Sequence, residues 1–288
     1  MPSSPGRAPA QREQARYTAR AMSSGNAREV ELSHGRTRYV EAGAGPPVVL
    51  LHGVGFTSGG DSWWPIVGPL STRLRVLAPD FMGWGLSDRF DREYSFAYLV
   101  DFVREFQDAL GLSRTHIVGH SMGGWIATLL AYESPQRVDK LALVAAGGVA
   151  TRTLASMTAF TPPSREQIET QLRATVKVPE ADFAALTKRA VQKTQVPGAV
   201  EAYQKILNHM NDPEHRRRYN TLRRLPHITA PTLIVWGRED KVNALELGEQ
   251  LHAGIKDSRL AVVEECGHFV PTEKPDELSR LLLDFLTA

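Results

Sequence analysis

Thr115-His116-Ile117-Val118-Gly119-His120-Ser121-Met122-Gly123-Gly124 is the stretch that decides the fold. Thr115–Gly119 reads as a buried strand, and helical periodicity begins at Met122 and runs to Glu133. The turn between them spells G-x-S-x-G, a string that gains meaning from its strand–turn–helix setting. A serine in so tight a turn takes unfavourable backbone dihedrals, so the residues two places either side must be small. Gly119 and Gly123 supply that room. The helix start below Ser121 offers free N–H groups and the positive end of a dipole, which favour developing negative charge. The plain reading, a glycine-rich turn with an incidental serine, is the weaker one.

Working outward, Arg28–Ser33 and Arg36–Ala42 alternate about His34-Gly35 and read as an antiparallel hairpin. Continuous apolar runs at Pro47–Leu51, Leu74–Ala78, Val138–Ala145, Thr232–Trp236 and Leu260–Val263 read as strands buried on both faces. Helical patterns fill the gaps at Ser95–Leu110, Met122–Glu133, Ala244–Leu251 and Asp276–Leu286. Such alternation predicts a mostly parallel sheet with helices on both faces. It breaks after Gly148, where helices are expected over Arg165–Val176, Glu180–Gln192, Ala199–Asn211 and Pro213–Leu225. That excursion predicts a helical cap over 149–226, set into a core of 28–148 and 227–288.

A serine hydroxyl needs a base, and the base needs an orienting group. Asp240 stands just past one strand end in Trp236-Gly237-Arg238-Glu239-Asp240, and His268 just past the next in Cys266-Gly267-His268. Residues at the C-terminal ends of parallel strands gather on one crevice, so Ser121, Asp240 and His268 are the expected catalytic residues. Their chain order is the one that accompanies this elbow. Glu239 is the alternative acid. Anion-stabilising N–H groups are expected from Met122 and from Val54 in His52-Gly53-Val54-Gly55-Phe56, with Gly55 as the alternative to Val54.

The chain has 288 residues, with 34 Lys+Arg against 32 Asp+Glu, a net charge of +2, and 42% hydrophobic residues. These values exclude a disordered or disulfide-stapled chain and argue against a dedicated nucleic-acid binder. No run approaches the roughly 18 apolar residues of a membrane helix. Residues 1–27 hold Arg7, Arg12, Arg16 and Arg20 without an apolar core. They read as a flexible arm; a mitochondrial transit peptide is the alternative, and a cytoplasmic protein is expected.

The chain resembles the α/β-hydrolases over about nine-tenths of its length. The matching stations are His52-Gly53, Pro79-Asp80-Phe81-Met82-Gly83-Trp84-Gly85-Leu86-Ser87-Asp88, Gly119–Gly124, Pro231–Asp240 and Gly267-His268. The resemblance implies an eight-stranded core, a helical lid inserted after the sixth strand, and no cofactor. Neither metal-ligand spacing nor a nucleotide-binding glycine pattern is present. The cluster His215-Arg216-Arg217-Arg218 with Arg223-Arg224 reads as a solvated face of the lid, His52 and His120 as loop-shaping residues, and Cys266 as a small buried residue. Substrate contacts are expected from Phe56, Trp125, Phe160, Arg189 and Phe269, with Met157 and Tyr203 among further lid aromatics and apolar groups.

The leading expectation is hydrolysis of a small apolar or aromatic ester or lactone through an acyl-enzyme. The alternative is C–C bond hydrolysis of vinylogous diketones from aromatic ring cleavage. The chain is similar to those hydrolases in Pro162-Pro163-Ser164-Arg165-Glu166, in Cys266 and in Arg189, a station for binding a carboxylate. It departs at His120, where they carry Asn, and at Phe269, where they carry Trp. A cofactor-free perhydrolase and a non-catalytic small-molecule receptor are lesser readings. The expected partner is a small substrate, with neither nucleic acid nor membrane, and with homo-oligomerisation left open.

Overall fold

The computed structural model describes residues 27–150, 160–176 and 180–288. The expected arm, apart from Ala27, and Met157 lie outside the described residues. Eight strands form one sheet: β1 (Ala27–Leu32), β2 (Gly35–Ala42), β3 (Pro47–Leu51), β4 (Arg75–Pro79), β5 (Thr115–His120), β6 (Val138–Val144), β7 (Thr232–Gly237) and β8 (Ser258–Val263). Their order is β1-β2-β4-β3-β5-β6-β7-β8. The β1–β2 hairpin and the β2–β4 pair are antiparallel, and every pair from β4–β3 to β7–β8 is parallel.

The continuous apolar runs have a direct cause. Successive side chains of a strand point to opposite faces, and here both faces are covered. Val49 and Leu51 of β3 enter one core while Val48 and Leu50 enter the other; Ile234 and Trp236 of β7 split from Leu233 and Val235 in the same way. Ten α-helices follow in chain order among the described residues. They are α1 (Trp64–Ser71), α2 (Phe96–Ala109), α3 (Met122–Glu133), α4 (Arg165–Thr175), α5 (Glu180–Thr194), α6 (Ala199–Asn211), α7 (Pro213–Tyr219), α8 (Leu245–Gly254), α9 (Val270–Glu273) and α10 (Pro275–Leu286). Helices α2, α3 and α8 cover one face, and α1 and α10 the other. No described helix is long and apolar enough to cross a membrane.

Local chemistry sets the helix ends. The Ser95 hydroxyl accepts Tyr98 N–H ahead of α2, and Ser164 and Gln167 form a reciprocal capping box ahead of α4. Two expectations need correction. Helix α1 was not anticipated, because Pro65 and Pro69 mask it; Pro65 falls in the first turn, where no N–H is needed. The helix expected over 213–225 stops at Tyr219, where Asn220 turns extended and ties its side chain to Val149 O at 2.8 Å. A short 3₁₀ helix over Leu222–His227 follows.

Helices α4 to α7 lie between β6 and β7 in sequence, and α4, α5 and α6 contribute residues to a cavity above Ser121. Under Ser121, the start of α3 packs closely against the end of β3. A Cβ on Gly123 would meet Leu51 O at 2.1 Å, backbone that cannot move aside. Gly123→Ala is therefore expected to destabilise the fold by about 2 kcal/mol or more, read from the urea midpoint. Gly111 has a positive φ of 67° and nothing near its Cβ position, so Gly111→Asn should change stability by less than about 1 kcal/mol. Equal effects of the two substitutions would contradict this packing account.

Candidate active site

Strand β5 ends at His120 and leads into Ser121, whose φ of 54° lies in the left-handed region. Three backbone bonds hold it there: Ser121 N–H donates to Val144 O at 3.0 Å, and Ser121 O accepts Trp125 N–H at 3.1 Å and Gly147 N–H at 2.8 Å. The side chain is thereby raised off the sheet.

His268 arrives from the loop after β8, and Asp240 from the loop after β7. His268 Nδ1 lies 2.8 Å from Asp240 Oδ2, and its Nε2 lies 3.0 Å from Ser121 Oγ. The carboxylate accepts from Nδ1–H, so Nε2 keeps a lone pair for the serine proton. Asp240 is fully buried, and its other oxygen accepts Val242 N–H and Asn243 N–H, each at 2.8 Å. The runner-up acid, Glu239, accepts Cys266 N–H at 2.8 Å and braces the neighbouring loop instead.

Several supports escaped the sequence reading. Asn243 donates to Ala145 O at 2.9 Å, and Glu273 accepts Gly267 N–H and Phe269 N–H at 2.7 and 2.9 Å, either side of the histidine. His120, by contrast, was read as a loop-shaping residue and is one: its Nε2–H donates to His268 O at 2.9 Å. Only the HG and elbow glycines carry a visible sequence signal; Asn243 and Glu273 look like ordinary surface polar residues in the string.

Met122 opens α3, so its N–H belongs to the first turn and lacks an intrahelical acceptor. Val54 follows β3 in a loop whose carbonyls are tied down. His52 Nδ1–H holds Gly53 O at 2.7 Å, Trp84 Nε1–H holds Val54 O at 3.2 Å, and Ser58 N–H holds Gly55 O at 2.9 Å. In a trans peptide the N–H points opposite to the preceding carbonyl, so fixing Gly53 O also fixes the direction of Val54 N–H.

A cavity of about 460 Å³ opens over Ser121 and His268. Phe56, Arg189 and Phe269 line it, as do Ile168, Leu172 and Tyr203 from the helices above. Two expected contacts do not. Trp125 is buried beneath the cavity, with its ring 4.1 Å from Phe96 and Nε1–H donating to Tyr219 O at 2.8 Å. It braces α3 against the end of α7 because its place on α3 turns it away from the serine. Phe160 lies behind the lining, its ring 4.8 Å from Phe56 and 4.5 Å from Tyr203.

The cavity wall is mainly apolar; Asp61, Arg189 and Lys193 gather on one side, and Lys241 from the loop after β7 adds a further charge. Burial raises the Asp61 carboxyl, but Lys193 and Arg38 outweigh it and hold the group below its ordinary range. Burial lowers the Arg189 guanidinium, opposed by Asp61. Arg216 and Arg224 correct the expectation of a solvated basic face. Both are buried, donating to Met210 O and Ala150 O and to Asn220 O and Arg218 O, whereas Arg217, Arg218 and Arg223 are exposed.

Among the described residues, Glu93, His209 and His215 are grouped closely enough to hold a metal ion. Their hydrogen bonds point elsewhere. His209 Nε2 accepts Phe96 N–H at 3.1 Å, so its proton sits on Nδ1, facing Glu93 at 3.0 Å. Coordination through Nδ1 would require moving that proton. Cys266 is buried, and its thiol is pushed up to about 12 by burial and then by Glu273, which makes it unreactive.

Burial lowers His52 to about 4, and burial followed by the neighbouring His268 lowers His120 to about 3. Both are neutral at working pH. Unfolding lets each return to about 6.5 and take up a proton. Their stability contribution is thus complete above about pH 6.5 and is lost as pH falls toward the folded values. Urea midpoints are expected to fall between about pH 6.5 and 5, before most carboxylates titrate, and to fall less in His120→Asn. Identical slopes in the two proteins would contradict the assignment.

The sequence profile of the α/β hydrolase fold family matches residues 46–275. A 2-hydroxy-6-oxo-6-phenylhexa-2,4-dienoate hydrolase of Comamonas testosteroni is 33% identical over 282 residues, covering 90% of this chain and 93% of the relative. A 2-hydroxy-6-oxononadienedioate/2-hydroxy-6-oxononatrienedioate hydrolase of Cupriavidus pinatubonensis is 31% identical over 286 residues, covering 91% and 96%. Among solved structures, a meta-cleavage product hydrolase of Pseudomonas fluorescens IP01 superposes with a TM-score of 0.78 at 28% identity, covering 90% of this chain and 97% of that one. The profile match over most of the chain and these relatives agree with the geometry, and the chain belongs to the α/β hydrolase fold family as one of its hydrolytic enzymes.

Proposed function

We propose that this protein hydrolyses a C–C bond in vinylogous diketones of the kind formed by aromatic ring cleavage. Its substrate class would be 2-hydroxy-6-oxohexa-2,4-dienoates with an apolar group on C6. The similarity to hydrolases of such dienoates carries this reading over the ester or lactone first expected from the sequence. The cavity supports it in one respect: a charged cluster bearing Arg189 stands on one side, with Phe56, Ile168, Leu172 and Phe269 among the apolar walls. That polarity suits a molecule with a carboxylate at one end and an apolar acyl group at the other.

In this reading Ser121 is the nucleophile, His268 the base and Asp240 its orienter, with Val54 and Met122 donating to the oxyanion. The substrate first shifts its enol proton from the C2 oxygen to C5, giving a 2-oxo acid with a saturated C5. Ser121 Oγ attacks the C6 carbonyl as His268 Nε2 takes the hydroxyl proton. The C5–C6 bond then breaks, its electron pair passes into the conjugated 2-oxo acid as a dienolate, and His268 returns the proton. Water hydrolyses the acyl-enzyme, so one water is consumed and a carboxylic acid and a dienol acid are released. Each oxyanion donor of this type contributes about 10²–10³ in rate.

Esters are the second reading, favoured by His120 and Phe269 at stations where the ring-fission hydrolases carry Asn and Trp. Steady-state assays on 2-hydroxy-6-oxo-6-phenylhexa-2,4-dienoate and on p-nitrophenyl acetate separate the two. A kcat/KM at least about 100-fold higher for the dienoate is expected, with Ser121→Ala losing at least about 10³ in kcat. Turnover of the ester with none of the dienoate would overturn the proposal.

A further inference from the structure

Helix α5 reaches the loop after β3 through one deeply buried side chain. Lys193, in the last turn of α5, is 5% exposed; its Nζ donates to Thr57 O at 2.8 Å and to the Asp61 carboxylate. A buried ion pair is seldom a net gain in stability over apolar packing, so its presence beside a reaction centre invites a positional explanation. The Gly59 backbone runs between the charged groups. A Cβ there would lie 2.6 Å from Asp80 Oδ1, 3.1 Å from Lys193 Nζ and 3.2 Å from Asp61 Oδ1, so glycine is what lets the cluster close. Beyond it, Gly60 N–H donates to Asp80 Oδ1 at 2.6 Å, and Arg38 meets the same oxygen at 3.2 Å. The far end of the loop is thereby fixed to the core.

The near end is held differently. Gly53 O and Val54 O are bound by the buried His52 and Trp84 and Gly55 O by Ser58 N–H of the same loop, whereas Thr57 O is bound by Lys193 from the helix above. The Lys193 bond orients the Thr57–Ser58 peptide; Ser58 N–H, on its opposite edge, then holds Gly55 O. This chain of contacts ends two peptides from the one that carries Val54 N–H.

We propose that Lys193 is a positioning residue for the hydrolysis, acting through Thr57 and Asp61 as a further restraint, beside those from His52 and Trp84, on the loop that carries the oxyanion-binding N–H of Val54. The inference rests on the reading of Ser121 and Val54 given above. It couples the cavity wall to the oxyanion site, because the helix that lines the cavity also restrains the loop.

The test compares wild type, Lys193→Met and the double variant Lys193→Met/Asp61→Asn, which leaves no unpaired buried carboxylate and so keeps folding separate from function. Activity on 2-hydroxy-6-oxo-6-phenylhexa-2,4-dienoate or p-nitrophenyl acetate, whichever wild type turns over, is measured with inhibition by phenylboronic acid, whose serine adduct places oxygen in the oxyanion site. The folded double variant is expected to lose about 10–100-fold in kcat with KM within about threefold, and boronate inhibition should weaken in parallel. A kcat within about twofold of wild type, or a loss of kcat with unchanged boronate affinity, would overturn the role of Lys193. Ser121→Ala is the control for the underlying reading. Wild-type activity in that variant would sink the nucleophile assignment itself, whereas an inactive Ser121→Ala beside a fully active double variant refutes the positioning role alone.

Discussion

A single proton governs what this site can do: the one on His268 Nδ1, held by Asp240 at 2.8 Å. While it stays there, Nε2 faces Ser121 with a lone pair and can accept the hydroxyl proton. The surroundings serve that arrangement. Val242 and Asn243 saturate the other carboxylate oxygen, Glu273 grips the loop on both sides of the histidine, and His120 holds its carbonyl. All three reacting groups follow the C-terminal ends of parallel strands, so the rigidity of the sheet becomes the rigidity of the site.

The second organising feature is charge placed where the sheet would tolerate apolar groups. Asp80 is fully buried and joins Arg38, Gly60 N–H and Leu86 N–H; Asp61 and Lys193 lie beside it. These groups fix the loop between β3 and α1 by directional bonds rather than by packing. Directional bonds suit a loop whose N–H groups must point at one place, since apolar contact leaves orientation free.

The strands were legible because burial on both faces writes unbroken apolar runs, as at Val48–Leu51 and Leu233–Trp236. The elbow was legible because tight backbone contact demands glycine, and Gly123 stands against Leu51 O. Helix α1 was hidden by Pro65 and Pro69, because proline signals a helix break; Pro65 sits in the first turn where no N–H is needed, and Pro69 lies inside the helix at the cost of one backbone bond. Trp125 was expected in the cavity because a string gives proximity to Ser121 but not the side of the helix; the cap packs over it instead. Arg216 and Arg224 read as surface charges, and Lys193 and Asp61 drew no reading, because nothing in the sequence shows which charged residues will find buried partners. Asn243 and Glu273 stayed hidden because their side chains bond backbone groups, Asn243 across to Ala145 O and Glu273 back to Gly267 and Phe269 N–H, which leave no mark in the sequence.

Reaction with a fluorophosphonate reads the activated hydroxyl most directly, since phosphorus capture needs a nucleophile and base but no particular acyl group. The account predicts one adduct per chain, mapped by peptide mass spectrometry to Ser121, and labelling at least about 10³ slower in His268→Ala. An adduct on another residue, or equal labelling rates with and without the imidazole, would contradict it.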